Sequence, residues 1–133
     1  MQRFLAGLFL VVLCASLHAQ TMNMRATIPV PFHAGNAVMP AGSYTVSHSN
    51  GVLILHEAAG KGAALVVTDA ATGSRPAARS ILSFHRYGEN YFLASVWEEG
   101  LRDGCELRKS RAEKEIAGGT NLRESVGIAL QRQ

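Results

Sequence analysis

The chain has 133 residues and a formal net charge of +3, from 13 lysines and arginines against 10 aspartates and glutamates. This length corresponds to one domain and excludes an enzyme with separate cofactor and substrate domains. In the segment 106–115, glutamates at 106, 113 and 115 balance Lys109, Arg111 and Lys114, so no positively charged stripe forms. Nucleic acid is therefore not expected as a partner.

The N-terminus has the pattern of a secretory signal peptide. A positive start that contains Arg3 precedes the apolar run Phe4–Leu17, and Ala19 is a small residue at a cleavage position. The run is shorter than the roughly 20 apolar residues that a spanning helix needs. We expect residues 1–19 to be removed, which leaves 20–133 as one β-rich domain. The mature protein is then periplasmic or extracellular, with no transmembrane segment.

Cys105 is the only cysteine that remains after cleavage at this position, so no intramolecular disulfide can form. Cys14 lies within the signal, and the bulky Leu13 before it argues against lipid attachment. Asp103 and Glu106 flank Cys105 in a predicted loop, and negative charges do not favour a reactive thiolate. The sequence predicts an ordinary, unreactive thiol.

The first half of the mature chain predicts short strands. Apolar residues alternate with polar ones in the segment 22–30, which ends at prolines that cannot donate to a sheet. Asn50-Gly51 predicts a type I′ hairpin turn. Pairing outward from this turn places Val46 opposite Leu55, and His48 then lies opposite Leu53.

A second hairpin is predicted after the strand Ala63–Thr68 and a loop over 70–78. Its strands, 81–87 and 90–97, pair Phe84 with Leu93 and His85 with Phe92 around a turn at Gly88-Glu89. Both faces carry apolar bulk, which predicts a central hairpin that is covered on two sides. We expect Trp97 to be buried at its end.

The C-terminal third predicts one short helix. Ser110 and Glu113 have the spacing of a capping box, and Gly118-Gly119 ends the helical segment. Alternating apolar residues over 126–130 favour a last strand because Gly127 is unfavourable inside a helix. A helix from Leu122 is the alternative. The fold class is all-β, a sandwich or a small barrel of about six or seven antiparallel strands with one short C-terminal helix.

Three blocks of the sequence resemble a family of small, secreted, uncharacterised bacterial proteins. These are PFHAG at 31–35 with PAGSYTV at 40–46, FHRYG at 84–88 with YFL at 91–93, and ELRKSRAE at 106–113. The resemblance implies export and a single β-rich domain. It implies no activity, substrate or catalytic residue.

Residue patterns that would indicate catalysis or metal binding are weak. The four histidines that remain after cleavage, His33, His48, His56 and His85, have no close ligand spacing, so no metal or cofactor is predicted. Glu98 and Glu99 are neighbours on a strand and point to opposite faces, which makes them a poor acid–base pair. The sequence therefore predicts a protein that is not an enzyme.

One polar group on the second hairpin remains as a candidate site. Arg86 lies between Phe84 and Tyr91 on one predicted face, and Arg86 with Tyr87 could hold an anionic ligand in a barrel mouth. The favoured alternative is structural, in which Arg86 stacks on Tyr91 and pairs with Glu113 or another carboxylate to tie the helix to the sheet.

The expected function is that of an exported, non-enzymatic module that binds a partner or associates with the envelope. The alternative is a carrier of small apolar ligands with a calyx-like barrel. The partner is an unidentified protein or small ligand in either case.

Overall fold

The computed structural model describes residues 22–60, 62–119 and 122–132. The predicted signal peptide and the cleavage site before Gln20 lie outside the described residues. The described chain forms eleven strands and one helix: β1 (Met22–Ile28), β2 (Phe32–Ala34), β3 (Ala37–Met39), β4 (Gly42–Ser49), β5 (Val52–Glu57), β6 (Ala63–Thr72), β7 (Ile81–Tyr87), β8 (Asn90–Trp97), β9 (Asp103–Leu107), α1 (Arg111–Gly119), β10 (Glu124–Ala129) and β11 (Gln131–Arg132). The all-β prediction is confirmed, and the strand count exceeds six or seven because several strands are very short.

Nine strands of the sheet follow the order β10-β7-β8-β9-β6-β5-β4-β1-β11. The other two lie off this path: β2 pairs with β3 and, in parallel, with β8, so the sheet is mixed and not purely antiparallel as predicted. The long strand β6 belongs to both halves of this sheet, since residues 63–67 pair with β5 and residues 68–72 pair with β9. The ends of the order, β10 and β11, are separated only by Leu130, whose backbone N–H donates to Ser80 O at 2.9 Å. The two margins of the sheet thus approach each other at Leu130, but β10 and β11 do not pair, so the sheet remains open.

The core lies on the inner face of this curved sheet. Phe32 sits at its centre, with its ring edge-on to Tyr44 at 5.3 Å and to Phe84 at 5.6 Å between centroids. Aliphatic side chains fill the remaining space; those that are essentially fully buried are Ile28, Val46, Leu53, Leu55 and Leu82. Close packing of this kind is the main source of stability in a small domain.

The first predicted hairpin is confirmed, register included. Val46 pairs with Leu55 and His48 pairs with Leu53. Asn50 and Gly51 have φ values of 51° and 76°, as a type I′ turn requires. Turn chemistry and hydrophobic alternation agree here, so the register is determined locally.

The second hairpin is also confirmed, with one irregularity that the sequence analysis missed. Phe84 pairs with Leu93, but Ser83 pairs with Ser95, so Ala94 forms a bulge. The bulge shifts the alternation by one residue and turns Trp97 to the outer face. Trp97 is therefore only half-buried, and the predicted burial was wrong.

Two segments that were predicted as loops form the pairing of β6 with β9. Residues 70–72 extend β6 because they pair with β9, so only the later part of the predicted 70–78 loop is irregular. Cys105 is likewise in a strand, opposite Ala70 on one side and Val96 on the other. Its predicted loop position was wrong.

The C-terminal elements agree with the prediction. The backbone N–H of Glu113 donates to Ser110 Oγ at 3.1 Å, so Ser110 is the N-cap of α1. The last segment is a strand rather than a helix from Leu122, and β10 pairs with β7 so that Val126 lies opposite Phe84.

Candidate functional site

The structure divides the four predicted site residues between two faces of the second hairpin. Arg86 and Tyr91 pair across the strands and contact each other, whereas Tyr87 faces the other side and contacts Glu113. Neighbouring residues of a strand point to opposite faces, so Arg86 and Tyr87 cannot act on one ligand from the same side.

Arg86 makes the predicted contact with Tyr91 but not the predicted contact with Glu113. Its guanidinium carbon lies 5.4 Å from the Tyr91 ring centroid, and its Nε donates to Gly88 O at 2.7 Å. Its carboxylate partner is Glu124, at 3.6 Å, directly opposite on β10. The expected pair with Glu113 or Glu106 was wrong because α1 packs on the opposite face of β7.

Glu113 ties α1 to the sheet through two other residues. It is only 3% exposed, and its Oε2 accepts a hydrogen bond from the Tyr87 hydroxyl at 3.3 Å. His85 Nδ1 lies 3.3 Å from the same oxygen. A helix-to-sheet tie therefore exists, but His85 and Tyr87 make it in place of Arg86.

The Tyr87 hydroxyl is held in its protonated form. Burial, together with the neighbouring Glu113 carboxylate, raises the pKa of Tyr87 above its usual value, while Arg123 acts in the opposite direction. A protonated phenol donates a hydrogen bond to a buried carboxylate, and that donation offsets the cost of burying the charge. The arrangement is typical of a structural contact.

A shallow pocket lies next to His33. The His33 ring stacks on Phe92 with centroids 4.4 Å apart, and Phe92 meets Tyr87 edge-on at 5.9 Å. The pocket measures about 100 Å³ and is lined by Pro31, Phe32, His33, Val38, Glu89, Asn90 and Tyr91. Sites for small molecules are usually about 300–1,000 Å³, so this pocket has room for little more than water.

Cys105 is not arranged for nucleophilic chemistry. Burial raises the pKa of its thiol, although the Thr68 hydroxyl and the Val96 backbone act in the opposite direction. Thr68 also forms a hydrogen bond with His48, with 2.9 Å between Oγ1 and Nε2. A buried thiol with a raised pKa remains protonated near neutral pH.

No group of three or more histidine, cysteine, aspartate or glutamate side chains that could hold a metal ion occurs in the part of the chain that the structure describes. The same described residues contain no helix that is long and apolar enough to cross a membrane.

An apolar patch on the outer face of β5 and β6 was missed by the sequence analysis. It consists of two cross-strand pairs, Val52 with Val67 and Ile54 with Leu65. Leu65 and Val67 are 71% and 69% exposed, while Val52 and Ile54 are half-buried. We call these four residues the outer patch.

The outer patch departs from the usual alternation of an antiparallel sheet, in which the solvent-facing side is polar. The sequence carries a signal for it, since residues 52–55 and 64–67 are uninterrupted apolar runs. Such runs indicate apolar residues on both faces of a strand. Apolar residues on both faces also predicted that the second hairpin is covered on two sides, and that prediction is correct. In contrast, nothing in the described chain covers the outer patch.

Serines border the outer patch on β4, and ionisable residues lie beyond its two ends, with the exposed His56 beyond Ile54 on β5 and Asp69 beyond Val67 on β6. Ser47 and Ser49 on β4 pair with Ile54 and Val52. Beyond Val67, the next outward-facing residue of β6 is Asp69. Arg108 donates to its two carboxylate oxygens at 2.9 and 3.1 Å and lowers the pKa of that carboxyl.

The fold and this surface define a small all-β domain with one uncovered apolar sheet face. Comparison of the chain with profiles of protein families, with curated proteins and with solved structures gave no match.

Proposed function

We propose that this chain is an exported, non-enzymatic binding module that docks on an apolar protein surface through the outer patch. Export is supported by the signal-like segment 1–19, with its positive start, apolar run and small residue at position 19. Binding is supported by the exposed aliphatic side chains of β5 and β6.

The single observation that carries the proposal is the exposure of Leu65 and Val67 as one contiguous surface with Val52 and Ile54. Isolated exposed apolar residues are common and need no explanation, but contiguous apolar patches often mark interaction sites. The central part of a protein interface is apolar and poor in charged residues. The outer patch has this composition.

The interior favours a binding module over a calyx-type carrier. A carrier needs an internal cavity of several hundred Å³. Here the space inside the curved sheet is filled by aromatic rings, with Phe32 wedged between Tyr44 and Phe84. These side chains are at most 1% exposed, so they form a packed core.

The side chains with catalytic potential are engaged in structural contacts, which supports a non-enzymatic role. Glu113 is buried against Tyr87 and His85, and Cys105 is a buried thiol beside Thr68. A general base or nucleophile must instead reach a substrate.

Native mass spectrometry of the protein purified from its own host tests this function. We expect the wild-type chain to carry bound protein, and we expect Leu65→Lys to release it because a lysine cannot be desolvated in an apolar interface. Val38→Lys is the matched control, since Val38 is also 69% exposed but lies on β3, outside the patch.

The proposal fails if the wild-type protein carries no bound protein at any concentration tested, or if Leu65→Lys and Val38→Lys retain the complex equally. A retained lipid or other small apolar ligand would instead favour the carrier. Thermal melts of both variants check that the domain remains folded, since surface substitutions usually change stability by less than about 0.5 kcal/mol.

A further inference from the structure

We infer that the occupant of the outer patch is a second copy of this chain, packed face to face in a weak two-fold dimer. This inference rests on the proposed function, because it assigns the partner of the same surface.

The charge pattern favours a second copy over a charged partner. The patch itself has no ionisable side chain, and its neighbours Ser47 and Ser49 are neutral. The exposed His56 lies beyond Ile54, opposite Ala63, and Asp69 beyond Val67 is paired with Arg108. An acidic peptide, a nucleic acid or an anionic surface would find no charge within the patch to pair with. A second copy of a neutral surface brings no like charges together.

The side chains of the patch are reached through the outer face of the sheet. β5 pairs on both edges, with β4 and β6, whereas residues 63–67 of β6 pair with β5 alone among the described strands. A strand added at the free edge of this segment would extend the sheet but would not cover the outward-pointing Leu65 and Val67. The partner must present an apolar face of its own, and two sheet faces pack about 10 Å apart.

The register makes the patch complementary to itself. A two-fold axis that runs parallel to the strands, above the line between β5 and β6, lays each β5 over the β6 of the other copy. Because Ile54 pairs with Leu65 and Val52 pairs with Val67 within one sheet, these residues are at the same height along the strands. Ile54 then meets Leu65 of the partner subunit, and Val52 meets Val67 of the partner subunit, as in an isologous interface.

The small size of the patch predicts a weak dimer. Four aliphatic side chains provide less than the roughly 800 Å² per partner of a standard interface. The dimer should therefore depend on concentration and dissociate on dilution.

Analytical ultracentrifugation of the protein recovered from its host, over a wide concentration range, tests the inference. We expect the wild-type mass to rise from monomer to dimer. Leu65→Lys and Ile54→Glu should each weaken dimerisation by about tenfold or more, as loss of a central apolar contact does. The control Val38→Lys should dimerise like the wild-type chain.

Mixing the two patch variants, Leu65→Lys and Ile54→Glu, tests the register. In a mixed dimer the introduced lysine of one chain opposes the introduced glutamate of the other, which creates one ion pair. The native contact between Ile54 and Leu65 persists at the symmetric position. At the same total concentration, an equimolar mixture of the two variants should therefore contain more dimer than either variant forms alone.

A wild-type chain that stays monomeric at all concentrations, or a dimer that survives Leu65→Lys, would overturn the inference. A mixture that recovers no dimer would also overturn it. The proposed function is tested independently of the dimer. If the wild-type chain is monomeric but its complex with another host protein is lost in Leu65→Lys, the patch still binds a partner and only the second copy is wrong.

Discussion

The indole of Trp97 lies directly over Gly104 on the neighbouring strand. A Cβ atom at Gly104 would be 2.6 Å from Trp97 Cε3 and 2.7 Å from the Val96 carbonyl oxygen. The second of these neighbours is backbone, so it cannot rotate away. Position 104 therefore requires glycine for close approach, and the outward turn of Trp97 at the Ala94 bulge creates that requirement.

Gly104→Ala should destabilise the domain by about 1–3 kcal/mol, the usual cost of forcing extra volume into a packed site. Urea denaturation followed by Trp97 fluorescence measures it. Gly118→Ala is the control, because an added Cβ there meets nothing within 4 Å and alanine favours the helix. Equal stability of the two variants would show that the indole does not pack on β9 as described.

The helix-to-sheet tie predicts that Tyr87→Phe costs more than Arg86→Ala. The Tyr87 hydroxyl bonds a buried carboxylate, and its loss should cost about 1–3 kcal/mol. Arg86 and Glu124 have side chains that are 41% and 69% exposed, so their pair contributes about 0–1 kcal/mol. Chemical denaturation of both variants decides the order, and the reverse order would mean that the hydrogen bond from Tyr87 to Glu113 contributes less than the contacts of Arg86 with Tyr91 and Glu124.

Coupling to the helix cap provides a second test of the same tie. Ser110→Ala should cost about 1 kcal/mol through the lost cap. Because the cap positions Glu113, Ser110→Ala and Tyr87→Phe should be non-additive in a double-mutant cycle, whereas Ser110→Ala and Arg86→Ala should be additive. Additivity in both cycles would mean that the Ser110 cap does not position Glu113 for its contact with Tyr87.

The raised pKa values of Tyr44 and Tyr87 predict loss of stability at alkaline pH. Burial raises the pKa of both phenols, and Glu57 adds to the effect at Tyr44. The unfolded chain ionises first, at about pH 10, so stability is complete below that pH and falls as the pH rises through the folded-state pKa values. Absorbance titration near 295 nm should show two tyrosines of the native protein that ionise above about pH 10, and only one after Tyr87→Phe. Ionisation of Tyr44 and Tyr87 at about pH 10 in the folded state would contradict this.

Local features of the fold could be predicted from the sequence, and features set by distant contacts could not. The Asn50-Gly51 hairpin was predicted with its register because turn residues and alternation lie within one short segment. The pairing of Ala70 with Cys105 joins residues far apart in sequence, so the extension of β6 was missed. No turn residue marks the bulge at Ala94, so the sequence does not predict it.

The candidate site was predicted in part for the same reason. The contact of Arg86 with Tyr91 follows from hairpin register alone. The partner of Glu113 depends on which face of β7 the helix covers, and no local pattern determines that face. The outer patch was missed because apolar runs predict two apolar faces but do not say whether both are covered.

Cys105 should be unreactive in the folded protein. Its thiol is buried and its pKa is raised by that burial, so it should react with a thiol reagent at neutral pH only after denaturation. Colorimetric titration with and without denaturant measures this. Rapid reaction of the native protein would mean that β9 opens readily.

The outer patch should be covered when the protein works, and site-directed labelling in the host measures whether it is. Val67→Cys and Val38→Cys place a thiol at two equally exposed positions, one inside the patch and one outside it. A membrane-impermeant maleimide should label Val38→Cys in both the host compartment and dilute solution. Val67→Cys should be protected in the host compartment and become labelled on dilution. Equal labelling of the two variants in the host compartment would mean that the outer patch is uncovered there.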